Sequence, residues 1–385
     1  MSHLHHSDNT YDYFPEYDEN FTVPDYFEDD NEFFYWISLI DRIGEVLGEV
    51  NNILSIICLV INLAHFLVMI QKKMRTSAIN ILTIGISICD IVVIGNTVGI
   101  FIYVILSSNI WYVDNGCIQL FVNFSWPQFT YLSRIVLITA EFSKDSLLRV
   151  SPWLGLAMAL IRAAVLLFPW RKWIKTLSEK RLAIPIIVVF FSLSSFISAL
   201  VFSRYSIFRF GTWQPPEICG YPPDYTQPMF TIEVGRKVIL SYKITMDIYA
   251  AVNGAASIIP AVTYPLIAVV LVVQLVKMKK GRSKLFSTRA SDASEKDHTT
   301  TLVILMTITF FISQLPIGLF MWLRLIYPFH YVIQIALNHG TKFTSILFTI
   351  NATCHCFIFA TLSSQYREVV REVFCCRKRK NVSGS

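Results

Sequence analysis

Charge is what this sequence has least of. Only 16% of its 385 residues are Asp, Glu, Lys or Arg, against about a quarter in a soluble domain. Helices of a large soluble protein would carry polar faces over most of their length, and runs such as Leu182–Val201 and Ile258–Val276 do not. The head of the chain lacks basic residues, the first being Arg42, so no basic patch precedes a short apolar stretch and no cleavable signal peptide is expected. Its eight cysteines show neither CxxC nor His-paired spacing, and Cys354-His355-Cys356 is too tight for a tetrahedral ion, which excludes a zinc site. No internal repeat is visible, which argues against a transporter or channel built from related halves. No Ser/His dyad, HExxH or paired-Asp motif lies in the apolar runs, so no enzyme is expected.

What is present is a series of apolar stretches, 54% of the residues being hydrophobic and the mean hydropathy +0.51. A bilayer core needs about 20 apolar residues per helix. Spans are expected near Glu49–Ile70, Ser77–Leu106, Leu137–Phe168, Leu182–Phe202, Ile244–Val276, His298–Tyr327 and His339–Leu362. The expected fold is therefore an all-α membrane protein, a seven-transmembrane helix bundle. Residues 1–46 form an acidic leader in which Pro15 and Pro24 disfavour helix, so an extended segment is expected there. The bundle takes residues 47–362, and residues 363–385 an amphipathic helix and basic tail. Basic residues sort to one side: Lys72, Lys73 and Arg75, then the stretches Trp170–Arg181 and Lys277–Asp297, then the tail Arg377–Lys380. The positive-inside rule places these in the cytosol, with the N-terminus outside. Gly116–Tyr131 could be read as an eighth span, but it is short, contains Pro127 and would put the basic stretch Lys277–Asp297 outside. The net charge of +6 thus reflects topology and attraction to anionic lipid, not nucleic acid.

Polar residues inside spans are costly, roughly 2.5–3.5 kcal/mol each for ionisable ones. Asn62, Asp90, Ser151, Arg162, Gln314, Asn351 and His355 lie there. Each alone could glue one helix to another. Glu141, Lys144, Asp145 and Arg149 stand at helical spacings in the outer third span; they either neutralise one another or bind a ligand. Asn20 and Asn123 head glycosylation sequons on the outside. Cys117 and Cys219 share the oxidising side, where a bridge between the two long outer loops is expected. Cys375 and Cys376, between an amphipathic helix and a basic run, suit reversible palmitoylation.

The polar set resembles that of rhodopsin-like G-protein-coupled receptors. Asn62 in "VINLAHFL" sits at the first-helix Asn, Asp90 in "ISICD" at the Asp of "LAxxD", and Arg162 in "MALIRA" at the Arg of "DRY". Pro316 in "ISQLP" matches the Pro of "CWxP", and "NATCHCFIF" (Asn351–Phe359) lines up with "NSxxNPxxY". More closely, "MRTSAINILTIGISICD", "SPWLGLAMALIRA", "TTTLVILMTITFFISQLPIG" and "NATCHCFIFATLSSQYREVVREVF" look like the nematode class W serpentine receptors, which are similar to FMRFamide and myosuppressin peptide receptors. The resemblance covers residues 45–375. Departures are local: Ile161 and Ala163 flank Arg162 in place of Asp and Tyr, and Gln314 stands where that family has Trp. His355 and Phe359 replace the Asn and Tyr of the last motif, and the usual third-helix Cys is absent, with Leu137 in its place.

The resemblance implies a plasma-membrane receptor that passes extracellular ligand binding to a heterotrimeric G protein. The ligand would be an RFamide-like neuropeptide or a small environmental molecule. Arg162, Gln314, Pro316 and Phe359 would serve activation and coupling, and Asn62 helix packing. Asp90, Ser151, Asn351 and His355 would meet in mid-bundle around a sodium ion or a proton, no other cofactor being expected. Glu141 or Asp145 would pair with a ligand arginine. A retinal-binding opsin would need a lysine deep in the last span, where Thr349 stands.

Overall fold

Seven apolar runs long enough to cross a bilayer become seven long helices. The computed structural model describes residues 30–111, 130–168, 170–171, 176–177, 179–214, 222–234, 242–285, 291–327 and 331–374. In chain order these form α1 (Asp30–Met69), α2 (Ala78–Trp111), α3 (Tyr131–Leu167), α4 (Lys180–Phe202), strands β1 (Tyr205–Trp213) and β2 (Gln227–Val234), then α5 (Tyr242–Leu285), α6 (Ser291–Ile326), α7 (Tyr331–Leu362) and α8 (Ser364–Phe374). The spans within them are Ile37–Met69, Ala78–Tyr103, Tyr131–Leu167, Lys180–Phe202, Ile244–Gln274, Ile304–Ile326 and Ile333–Leu362.

Several helices outrun the apolar stretches that mark them, because a helix need not stop where the lipid does. α1 starts at Asp30, so residues 30–46, expected to be extended, are helical. The basic stretch Lys277–Asp297 is likewise mostly helix, shared between the ends of α5 and α6. A second departure from the all-helical expectation is an antiparallel hairpin between α4 and α5. β1 pairs with β2 from Tyr205↔Val234 to Trp213↔Gln227, with an irregularity between Arg209 and Gly211.

The hairpin marks one end of the bundle and α8 the other. α3 begins at the hairpin end: Thr130 caps it by accepting from the Ser133 amide at 3.2 Å, and Arg134 Nε donates to the Phe230 carbonyl of β2 at 2.9 Å. α3 is the central helix, packed against α2, α4, α5 and α6. Leu82, Ile86, Leu154, Met158, Tyr264, Leu271, Met306 and Phe310 fill the core between these helices. Exposed Val188, Leu193 and Phe196 of α4, and Val262, Leu266 and Val269 of α5, face outward as lipid requires. Pro152, Pro185, Pro260, Pro265 and Pro316 sit inside helices. The Tyr264 hydroxyl donates to the Pro152 carbonyl, tying α5 to α3.

Glycine permits close helix approach at two points. A Cβ on Gly155 would lie 2.5 Å from Phe310 Cε2, and one on Gly318 3.1 Å from the Ile258 backbone nitrogen. These approaches fix α3 against α6 and α6 against α5.

Candidate functional site

Three polar clusters lie along the bundle axis. The first belongs to the hairpin half of α3. Asp145 and Arg149, one turn apart, form a two-pronged pair, Nη2–Oδ2 2.7 Å and Nη1–Oδ1 3.1 Å. Arg149 is only 4% exposed and also donates to Ser194 Oγ at 3.1 Å, to Asn253 Oδ1 at 3.1 Å and to Ser198 Oγ. Asp145 accepts further from Ser198 Oγ at 2.7 Å and from the Tyr249 hydroxyl at 2.5 Å. Its carboxylate is thus saturated from within, by α3, α4 and α5. That corrects the expectation that Asp145 is free to hold a ligand arginine: a carboxylate taking four internal donors has little capacity left. Ser194, Ser198, Asn253 and Tyr249 carried no motif to single them out; the only signal was the serine-rich face of α4.

Glu141 and Lys144 behave differently. Their closest approach is 3.7 Å, beyond hydrogen-bonding distance, and their side chains are 37% and 29% exposed.

The second cluster is in mid-bundle. Asp90 of α2 is fully buried; Ser151 Oγ of α3 donates to its Oδ1 at 3.1 Å, and His355 Nδ1 of α7 stands 3.4 Å from its Oδ2. Asn351 is buried one turn before His355, but neither end of its amide meets a partner among the described residues. Three of the four residues expected to meet do so, and Asn351 stands beside them. Asp90 Oδ2, His355 Nε2 and Gln314 Nε2 are also buried without hydrogen bonds among the described residues. The carboxylate, hydroxyl and amide oxygens are hard donors, the kind a sodium ion takes. The His355 ring nitrogen 3.4 Å from Oδ2 can either donate or accept a hydrogen bond, depending on its tautomer. Among the described residues no group of three His, Cys, Asp or Glu could hold a metal ion. The His355 ring packs on Phe310, centroids 5.0 Å apart, and Phe310 stacks on Tyr264 at 5.5 Å. Position 314, where an aromatic was the family's choice, is thus one turn from an aromatic that does the packing.

The third cluster fastens α8. Its Tyr366 is buried and its hydroxyl lies 2.9 Å from His65 Nδ1 of α1 and 3.5 Å from Cys356 Sγ of α7. Phe359 packs on both rings, 5.5 Å from His65 and 5.9 Å from Tyr366. Burial pushes the Tyr366 hydroxyl's pKa up. Lys73, between α1 and α2, holds Glu372 at 2.5 Å and Glu368 at 2.9 Å, and Gln365 Nε2 donates to the Lys73 carbonyl at 2.6 Å. Hydrogen bonding to Glu372, then Glu368, raises the Lys73 pKa. Neither His65 nor Tyr366 was singled out in the sequence, because each makes sense only once α1 and α8 are neighbours. Asn62, expected to bond between helices, instead donates to the Cys58 carbonyl of its own helix at 2.9 Å. A helical Asn side chain can reach back to the carbonyl one turn earlier, and Asn62 Oδ1 is buried without a hydrogen bond among the described residues.

Arg162 lies near the same end of α3, half-buried, its Nε without a hydrogen bond and no carboxylate within ion-pair reach among the described residues. That is the consequence of Ile161 standing where an acidic neighbour would be. Pro316 sits in α6, two residues past buried Gln314. Cys117, Cys219, Asn20, Asn123, Cys375 and Cys376 lie outside the described residues. Cys58, Cys89, Cys354 and Cys356 are free thiols.

Seven helices long and apolar enough to cross a membrane, with polar clusters along the bundle and a docked eighth helix, fit a multi-pass membrane protein. No curated protein matches the chain. The family model described as "Serpentine type 7TM GPCR chemoreceptor Srw" matches residues 49–377, and the chain belongs to that family of receptors.

Proposed function

We propose that the chain is a ligand-activated chemoreceptor whose hairpin end faces the outside and whose α8 end engages a heterotrimeric G protein. The basic residues around α8 and the ends of α5 and α6 support this orientation through the positive-inside rule. The observation that carries the reading is the charged segment of α3 at the hairpin end. It holds Glu141 and Lys144 half-exposed and only 3.7 Å apart, next to the tightly bonded Asp145–Arg149 pair. A small environmental molecule is the ligand class this favours. An RFamide-like peptide would have to place its arginine on Glu141, since Asp145 is taken up by Arg149, Ser198 and Tyr249.

Arg162, with no acidic partner among the described residues, would be free to meet the G protein. The mid-bundle Asp90 would hold a sodium ion or a proton as its counter-charge, because a lone buried carboxylate is costly. The test is a second-messenger screen of amidated peptides and small molecules on cells expressing the receptor. A response that Arg162→Ala abolishes at unchanged surface level supports the reading; a full response in that variant defeats the coupling role. Asp90→Asn leaving agonist affinity and its sodium dependence untouched defeats the mid-bundle assignment. Ion flux through proteoliposomes without any second messenger would favour a channel or transporter instead.

A further inference from the structure

Residues 144, 148, 151 and 155 recur at i, i+4, i+7 and i+11, which puts them on one stripe of a helix. Two of them fix where that stripe looks. Ser151 bonds Asp90 of α2, and Gly155 lies beneath Phe310 of α6. Leu148 packs against the core between them. Lys144 therefore lies on the stripe that faces the bundle interior, two turns nearer the hairpin end than Ser151. Its side chain is 29% exposed on that stripe.

An ammonium on an interior face normally needs a counter-charge. The nearest is Glu141, at 3.7 Å with no hydrogen bond, and half-exposed pairs at that distance contribute little. The other acid of this segment, Asp145, is spent on Arg149. Asp41 pairs with His339 at 2.8 Å, so it offers nothing either. A second under-bonded cation lies at the same end on a helix that touches α3. Arg324, in the last turn of α6, has a buried Nε without a partner, and its Nη2 comes only to 3.5 Å from Asn338 Oδ1. Among the described residues, two cations at this end of the bundle, Lys144 and Arg324, are thus short of partners, which favours negative charge there.

We propose that Lys144 seats an anionic group of the ligand, so that the receptor's ligands are small organic acids. Lys144 supplies the charge-assisted hydrogen bonds to a carboxylate, and Leu148 below it gives an apolar surface for the rest of the molecule. Arg324 raises the local concentration of anions at the mouth. This rests on the hairpin end being the ligand face, and it runs against a cationic peptide.

The probe is a panel of aliphatic and aromatic carboxylic acids, each beside its methyl ester and primary amide. The panel is applied to the purified full-length receptor in lipid nanodiscs, and thermal unfolding is read with no G protein present. Some acids should raise the midpoint while their esters and amides do not. Lys144→Gln should weaken that binding by about tenfold to a hundredfold, as loss of a charged hydrogen bond implies. Lys144→Arg, which keeps the charge, should retain most of it. The proposal is overturned if no acid shifts the midpoint, if esters and amides shift it equally, or if acid binding survives Lys144→Gln. Acid binding lost in Lys144→Gln but silent in second-messenger assays would uphold this site and sink the coupling reading. A cationic peptide that signals equally in wild type and Lys144→Gln would do the reverse.

Discussion

Replacing Asp145 by alanine separates a structural carboxylate from a ligand contact. The substitution removes both prongs of the Arg149 pair and the acceptor of the Ser198 and Tyr249 hydroxyls. Arg149, 4% exposed, keeps Ser194, Ser198 and Asn253 but loses its only counter-charge among the described residues. Breaking a buried ion pair by removing one partner costs roughly 3–5 kcal/mol. Single interhelical hydrogen bonds in membranes average only about 0.6 kcal/mol, so the uncompensated guanidinium decides the outcome. Because Asp145 is itself 19% exposed, water can reach it and the lower figure, about 3 kcal/mol, is expected. Denaturant unfolding of the purified receptor in mixed micelles, followed by tryptophan fluorescence, measures it. Removing both charges, as Asp145→Leu with Arg149→Met, should recover most of the loss, since a buried pair can be exchanged for apolar packing at little net cost. If Asp145→Ala unfolds like wild type and the double variant is no better than the single, the saturated network is not what holds α3 to α4 and α5. A ligand contact predicts the opposite pattern, unchanged stability with a lost response.

Tyr366→Phe should loosen α8, because it leaves both nitrogens of buried His65 unpaired at about 1–3 kcal/mol. Limited proteolysis at the α7–α8 junction should quicken, and unchanged cleavage would contradict the latch. Gly155→Ala puts a methyl 2.5 Å from Phe310 Cε2 and should cost about 1–3 kcal/mol of overpacking. A partial rescue by Phe310→Leu would identify that clash as the cause, and no rescue would place it elsewhere. For the Lys73 clamp, the folded pKa is raised, so its contribution is complete below the ordinary lysine range and lost only as pH climbs through the raised value. α8 should therefore stay docked by this clamp at neutral pH and loosen at strongly alkaline pH, a step that hydrogen exchange would show absent in Lys73→Gln.

The membrane spans were legible because they rest on a local, one-dimensional property. Twenty consecutive apolar residues announce a helix wherever it ends up, and all seven expected spans are helices. Their ends were not legible by that rule. Residues 30–46 carry Asp41, Arg42 and Glu45 yet continue α1, since nothing in them breaks a helix after Pro24, and the first span reaches back to Ile37. The hairpin was hidden for a different reason: its pairing joins Tyr205 to Val234 across a long loop, and two short strands of mixed polarity give only a weak alternation.

The candidate site divides along the same line. Asp90 and Ser151 could be matched because a buried carboxylate and a hydroxyl are anomalous in lipid-depth sequence, whatever their neighbours. Asp145 and Lys144 stand side by side in the chain and look interchangeable as ligand contacts. One residue turns a side chain by about 100° around a helix, and that single step puts Asp145 against the serines of α4 and the tyrosine of α5, where its charge is consumed. It leaves Lys144 on the stripe shared with Ser151 and Gly155, where its charge is not. Adjacent residues of opposite charge thus acquire opposite roles from helix phase alone. On the proposed reading it is Lys144's surroundings, rather than the mere presence of charges in the segment, that bear on the ligand.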